Sequence, residues 1–341
     1  MAPAPRSQLV ALRERALGEI APDRNLEFKG IVPNLFEQAR RDPRLERDII
    51  RLQKERNAII LCHNYQMPEI YEIADFIGDS FGLSRMAQQA DAEVIVFCGV
   101  HFMAESAAIL NPDKRVLLPV LYAGCGMADM ISAEGLCELK SEHPDAAVVC
   151  YVNSSADVKA ESDICCTSSN VVQVVRSLRE KKVIMVPDKN LAAYAQRMVP
   201  EKTLIAWEGW CPIHHGLATG ELDSIKQQYP GAEIIAHPEC QADMLGKADM
   251  VTSTSGMLTH ARSSPAKEFI IVTECGMSNM LRREMPGKKF IPVCQICPDM
   301  KKIDLFSVKR SLEQMQFEIT VPRRVAERAR LALERMMAIA P

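Results

Sequence analysis

Three cysteines, Cys125, Cys211 and Cys297, stand 86 residues apart and then 86 again. Each follows an apolar run of strand character and sits among Gly or Pro: VLLPVLYAGC, TLIAWEGWC and FIPVCQIC. Three thiolates suit zinc with a water in the fourth position. They equally suit an iron–sulfur cluster with one iron left open, because cluster irons take Cys thiolates. The wide spacing does not choose between them. The doubled C-x-x-C of structural zinc is absent from the sequence, and the single Cys294-x-x-Cys297 is either a redox pair or a coincidence.

Acid, base and hydroxyl groups keep the same period. LCHNY (61–65), VCYVN (149–153) and IAHPE (235–239) each end a β-like run in polar residues. His63 with Tyr65, and His237 with Glu239, then project to one side of their strand ends, as groups for proton transfer; Tyr151 and Asn153 follow the matching strand of the second copy. Ser80, Ser168 and Thr254 also recur, as do Asp75, Asp163 and Asp249. The hydroxyl trio is expected at helix N-caps. Capping alone explains any one of them, but three capped helix ends around a cavity would hold a polyanion. His214, three residues after Cys211, joins the set. Trp207 and Trp210 flank the same loop and are read as packing that shields a metal from solvent.

The other cysteines carry less chemistry. Cys62, Cys98 and Cys150 lie within strands and are expected to be small buried apolar residues. Cys137 lies in a helix and is also assigned to the core. Cys165, Cys166, Cys240 and Cys275 are read as structural.

The elements that must position these groups follow from the repeat, since a fixed period signals architecture. Apolar strands alternate with helices, which argues for parallel sheets covered on both faces. Each copy reads as four short strands, with the polar positions at their carboxyl ends, where open parallel sheets bind ligands. The expected fold is α/β: three homologous three-layer α/β/α lobes around a pseudo-threefold axis. The first comprises 1–124, including an N-terminal region, and is completed by 298–341, whose last helix closes it. The second spans 125–210 and the third 211–297. An amphipathic helix is expected over QLVALRERALGEI, and another over RLERDIIRLQKER.

Composition limits the function. The 341 residues are 48% apolar and 25% charged, with a formal charge of −3, an ordinary globular balance. Such a charge gives no pull toward nucleic acid or a membrane surface, and no Lys/Arg-rich stretch appears. No run is long and apolar enough for a membrane span, and the N-terminus lacks an apolar leader. A cytoplasmic protein is expected, whose twelve cysteines are core residues, metal ligands or reactive groups rather than a disulfide framework.

These residues together resemble one known family. HNYQMPEIYEIADFIGDS, VIVFCGVHFMAES, AGCGMADM, YVNSSADVKAESDICCTSSN, PDKNL, W-x-G-x-C-x-x-H, AHPEC and C-P-x-M-K, in that order over about 57–305, are similar to quinolinate synthase. The resemblance implies three similar lobes about a pseudo-threefold axis. It also implies a [4Fe–4S] cluster on Cys125, Cys211 and Cys297, whose open iron binds substrate as a Lewis acid. The implied reaction joins iminoaspartate to dihydroxyacetone phosphate, giving quinolinate, phosphate and water for de novo NAD synthesis. The family's substrate contacts fall on His63, Tyr65, Ser80, Tyr151, Asn153, Ser168, His214, His237, Glu239 and Thr254. An L-aspartate oxidase or dehydrogenase is the implied source of iminoaspartate. Some members carry C-x-x-C-x-x-C at the third ligand; here Ile291 replaces the first Cys, so redox regulation by that motif is in doubt.

On these residues the expected base is Glu239, with Tyr65, Tyr151, His63 and His237 moving protons or orienting hydroxyls. Three rivals remain: an aconitase-like iron–sulfur dehydratase, a three-thiolate zinc hydrolase, and a non-catalytic iron–sulfur redox sensor.

Overall fold

Among the described residues, twelve short strands form three four-stranded sheets, and every strand-to-strand pairing within them is parallel. The computed structural model describes residues 42–341. The helix expected over QLVALRERALGEI lies outside them.

The first sheet contains β1 (Ala58–His63), β2 (Phe76–Gly78), β3 (Val94–Cys98) and β4 (Arg115–Leu117), in the order β2-β1-β3-β4. The second contains β5 (Ala146–Tyr151), β6 (Ile164–Cys166), β7 (Lys182–Val186) and β8 (Thr203–Ala206). The third contains β9 (Glu233–Ala236), β10 (Met250–Val251), β11 (Glu268–Glu274) and β12 (Lys289–Gln295). Both repeat the order of the first, as β6-β5-β7-β8 and β10-β9-β11-β12. The central strands read as nearly continuous apolar runs, such as VIVFC and KVIMV, because helices cover both faces.

Residue parity along β11 separates two cores. Phe269 and Ile271 pack into the large cluster that runs through the first and second sheets. Ile270 and Val272 face a smaller cluster with Leu222, Met244 and Val293. Successive strand residues point to opposite faces, so the third sheet is a wall with the shared core on one side and its own helices on the other.

The repeated aspartates hold strands rather than substrate. Asp75, Asp163 and Asp249 each begin the turn into an edge strand. Each Oδ2 accepts the amide of a residue fifteen positions earlier: Ile60 at 2.7 Å, Val148 at 2.7 Å and Ile234 at 2.8 Å. Each backbone N–H returns a bond to the carbonyl of that same residue, at 3.0, 3.1 and 2.9 Å. This reciprocal clamp fixes the register of edge strands only two or three residues long. A second repeated device closes helix ends. Lys114, Lys202 and Lys288 each donate two bonds to carbonyls at the end of the helix after the second strand: Ala87 and Ala90, Leu178 and Glu180, Ala261 and Ser264. A cation there satisfies orphan carbonyls and meets the negative end of the helix dipole.

The C-terminal segment divides between lobes. The helix Leu305–Gln314 packs on the helix Pro43–Glu55 and on β3, completing the first lobe. The last helix, Arg323–Met337, lies against β6 and the helix Ala156–Ala160 of the second sheet as well as the helix His101–Leu110 of the first. It therefore bridges two lobes rather than closing the first. Cys62, Cys98 and Cys150 are buried as expected, whereas Cys137 is exposed on its helix instead of in the core. Among the described residues, no helix is long and apolar enough to cross a membrane.

The clamp predicts a local cost. Asp163→Ala should lower stability by about 1 kcal/mol, read as a shifted urea midpoint at constant m. Asp163→Asn, which keeps an acceptor, should lose less. Equal losses in the two variants would show that the acceptor is not what matters.

Candidate active site

The carboxyl ends of the three sheets meet at one cavity of about 200 Å³. His63, Tyr65, Ser80, Tyr151, Asn153, Ser168, His214, His237, Glu239 and Thr254 all line it, with Cys125, Cys211 and Cys297. Every site residue expected from the sequence is thus brought together. Trp207 and Trp210 are not on its wall: the Trp207 indole N–H donates to the Met130 carbonyl at 2.9 Å, and Trp210 carries Lys189 over its ring. They pack the loop without shielding the cavity.

The hydroxyl trio departs from expectation in a useful way. The caps fall one residue earlier: the Asp79 carboxylate accepts from Gly82 at 2.8 Å, and Ser253 Oγ accepts from Gly256 at 3.2 Å. Ser80 and Thr254 are the first residues of their helices, and Ser168 lies in the turn before the cap Asn170. A capping hydroxyl is spent on the backbone; these three are not, and they face the cavity. Thr254 Oγ1 accepts from Asn64 Nδ2 at 3.0 Å, tying the first lobe to the third. Asn153 Oδ1 is buried with no hydrogen-bond partner, a polar atom awaiting a polar ligand.

Among the described residues no Lys or Arg lines the cavity, while Asp79, Glu239, Glu274 and Asp299 do. Recognition of an anion therefore rests on neutral donors and helix ends. His63 and His237 are built as such donors. The Tyr65 amide donates to His63 Nδ1 at 3.1 Å, and the Glu239 amide donates to His237 Nδ1 at 3.4 Å. With Nδ1 accepting, the proton of each neutral ring is on Nε2. Burial holds both imidazoles down to about 3, with the Lys301 ammonium adding to the effect at His63.

Glu239 is only 3% exposed. Burial works against its charge, but His214, His237 and the Tyr151 hydroxyl overcome it and hold the carboxyl well below the usual carboxylate range. Tyr151 donates to Oε1 through a short hydrogen bond, and His214 Nδ1 lies 2.7 Å from Oε2. On its other side, His214 Nε2 meets Thr273 Oγ1 at 2.9 Å, and Thr273 Oγ1 meets the Tyr65 hydroxyl at 2.7 Å. One proton order satisfies the chain: Tyr65 donates to Thr273, Thr273 to His214, and His214 to Glu239. Burial and the Glu239 charge push both tyrosines well above their usual range, keeping them as protonated donors.

The backbone N–H three residues ahead of each cysteine, at Ala128 for Cys125, His214 for Cys211 and Met300 for Cys297, acts to lower the pKa of its thiol. Burial still pushes the thiols up, Cys297 to about 11, and the groups raise one another, Cys297 acting on Cys125 and Cys125 on Cys211. Half-buried thiols that would repel as thiolates, yet lie beside backbone amides, fit a bound cation that supplies the missing charge. Among the described residues no fourth Cys lines the cavity, so a metal group on these three thiols would have one position without a thiolate. Cys211, His214 and Glu239 also place donor atoms within 4.8 Å of one another. However, His214 Nδ1 is shared between Glu239 and the Cys211 sulfur, 3.2 Å away, and one metal on all three would have to break both contacts.

Cys294 does not pair with Cys297. It forms a disulfide with Cys275, Cα to Cα 5.0 Å, so one of the twelve cysteines read as reduced thiols is bonded to another across the ends of β11 and β12. Sequence reasoning also missed Thr273, Glu274, Asn64 and Lys301. One signal was available: Asp188 and Glu274 stand one 86-residue period apart, and each caps the helix after the third strand of its sheet.

Fold and site together define a class: a three-lobed α/β/α enzyme whose chemistry takes place where its lobes meet. The sequence model of the quinolinate synthetase A protein family (NadA) matches residues 47–338. The chain belongs to that family. A quinolinate synthase of Methanosarcina barkeri is 54% identical over 290 residues, which cover 84% of this chain and 95% of the relative. One of Alkaliphilus metalliredigens is 53% identical over 294 residues, 86% and 97% of the two chains. One of Thermodesulfovibrio yellowstonii is 49% identical over the same length and shares. The match takes in all three lobes and both ends of the cavity wall.

The buried imidazoles predict a pH dependence of stability. Unfolded His binds a proton near pH 6.5, whereas native His63 and His237 do so only near 3. Above pH 6.5 neither state is charged and nothing is lost. Between pH 6.5 and 5, before carboxylates titrate, the unfolded chain takes up protons that the native one refuses. Stability then falls by up to ~1.4 kcal/mol per pH unit for each imidazole. His63→Gln should flatten the slope by its share in urea titrations of the metal-free chain; an unchanged slope would rule out the buried neutral ring.

Proposed function

We propose that the chain is a quinolinate synthase that condenses iminoaspartate with dihydroxyacetone phosphate to give quinolinate, phosphate and water, in NAD biosynthesis. The observation that carries this reading is the cavity itself: three unpaired thiols, one from each repeat, stand beside a charged carboxylate and a ring of neutral donors. Cys125, Cys211 and Cys297 would hold a [4Fe–4S] cluster. When bound, the cluster supplies an open iron that draws electron density from a substrate oxygen or nitrogen. A cytoplasmic setting and an L-aspartate oxidase or dehydrogenase as source of iminoaspartate belong to the same reading.

The residues divide the work by what they can donate. One substrate brings two carboxylates and the other a phosphate. Ser80, Ser168 and Thr254 meet such oxygens with hydroxyls at the starts of helices, where backbone N–H groups point outward. His63 and His237 offer Nε2–H without adding charge, and Asn153 offers an amide. Condensation needs a proton removed from carbon, then protons returned as water leaves. Glu239 takes the base role with Tyr151 and His214. Its depressed proton affinity makes it a weak base in the empty site. A dianion entering beside it and displacing the Tyr151 or His214 contact raises that affinity, so base strength arrives with substrate.

Anaerobically purified protein should carry about four iron and four sulfide per chain. Cys125→Ser, Cys211→Ser and Cys297→Ser should each lose them, and stoichiometric zinc without sulfide would favour the hydrolase reading instead. Glu239→Gln should keep its iron and lose about 10²–10⁴ in turnover. Full quinolinate formation by that variant would end its assignment as base.

A further inference from the structure

Glu274 ends β11, caps the helix Cys275–Glu284 and is 1% exposed. Its Oε2 accepts the Gly276 amide at 2.7 Å. Its Oε1 accepts the Cys297 amide at 3.0 Å and lies 2.9 Å from Lys301 Nζ. Lys301 is part of the short 3₁₀ turn that follows Cys297, and its ammonium also donates, through a short bond, to the Tyr65 carbonyl of the first lobe. One carboxylate thus joins a strand end, the backbone of a thiol-bearing residue and a cation that reaches across to another lobe. Packing here is tight: a Cβ on Gly276 would stand 2.9 Å from Tyr65 Cα and 2.8 Å from Glu274 Oε2, so only glycine lets the lobes close on the pair.

The other two thiol loops are held differently. In the second lobe the buried Asp188 caps its helix through Asn190 and Leu191 at 2.7 and 3.0 Å, but its Oδ2 has no hydrogen-bond partner and no cation among the described residues is paired with it. In the first lobe the cap position is Val100, with no polar side chain to offer; the Cys125 loop is held instead from the third thiol loop, where Asp299 Oδ1 accepts the Gly124 amide at 3.2 Å and pairs with Lys302, which donates to the Tyr122 carbonyl at 2.9 Å. That pair is partly exposed, with side chains 21% and 31% accessible, whereas Glu274 is buried and takes the amide of the thiol-bearing residue itself.

We propose that Glu274 and Lys301 form a positioning clamp that sets the Cys297 sulfur in the cavity and fastens the third loop to the first lobe. This rests on the reading of Cys297 as a metal ligand, but the clamp is a property of the chain alone. The Cys275–Cys294 disulfide ties the same two segments. Once it is reduced, the ion pair is the charged tie that remains. Removing one partner leaves the other buried and unpaired, which is costlier than removing both. The single variants should therefore loosen the loop more than the double variant.

The test uses Glu274→Gln, Lys301→Met and the double variant in the full chain. In metal-free, fully reduced protein, alkylation of each thiol is followed by peptide mass spectrometry. Cys297 should react about tenfold faster or more in either single variant, with Cys125 unchanged, and the double variant should recover part of the difference. In the anaerobic holoprotein, iron release to a chelator should speed up in the same order. An unchanged Cys297 rate in both single variants overturns the clamp, as does an equal rise at all three thiols, which would mean general loosening. If Glu274→Gln does not fold, Lys301→Met decides by the same readout. Wild-type protein that takes up no iron or sulfide would defeat the cluster reading, and the alkylation result would still stand for or against the clamp.

Discussion

The arrangement depends on keeping the Glu239 carboxylate charged where little water reaches it. An isolated buried carboxylate would take up a proton instead. Here the charge persists because Tyr151 donates from the second lobe, while His214 donates from the third and is itself aligned by Thr273. Asn190, again from the second lobe, donates to the Glu239 carbonyl at 3.0 Å. The Tyr65 hydroxyl closes the chain from the first lobe. No lobe alone can satisfy this group, so docking of the lobes and ionisation of the site are one event. The stacked rings of His214 and His237, 4.5 Å between centroids, fill the space that water would otherwise take.

Repetition and divergence are divided by role. Devices that hold the scaffold are kept in all three copies: the aspartate clamp, the lysine at the helix end and the amide beside each cysteine. Positions that face the reactants differ between copies, with His and Tyr in the first, Tyr and Asn in the second, His and Glu in the third. A threefold body requires equal folding contacts, whereas the two unlike substrates of the proposed reaction would require unequal walls. The one carboxylate among those six positions, Glu239, sits where Tyr151 from the second copy can reach it.

Much of this was legible from the period. The four parallel strands per copy, the convergence of polar strand ends and the grouping of the three thiols follow from apolar runs repeated in sequence, because parallel sheets place their carboxyl ends on one side. What escaped depends on single-residue geometry or on distant partners. Asp79 and Ser253 take the caps expected of Ser80 and Thr254, since a helix start shifts by one residue without altering the pattern. Cys137 has an apolar side chain in an amphipathic helix, and its sequence does not say that its face is outward. Cys294 has Cys297 as its neighbour in sequence, but β11 and β12 pair side by side and bring Cys275 within bonding distance. The last helix carries an apolar stripe that fits either lobe, and only the assembled body shows it against β6.

Among the described residues the cavity wall carries no Lys or Arg, and this bears on selectivity. A fixed cation would bind any anion of suitable size, including free phosphate, with the same pull at every stage of a reaction. Neutral hydroxyls, imidazole N–H groups and helix starts give weaker individual contacts that act only at short range and in set directions. Glu239 and Asp79 in the same wall repel an anion that is wrongly placed. Selection then comes from matching several oxygens at once, and a product whose oxygens no longer match is released by the same repulsion. The thiols follow this logic from the other side. As free groups they are held protonated by burial and add no charge, so on the proposed reading the strongest attraction for an anion would enter the site only with a metal bound to them.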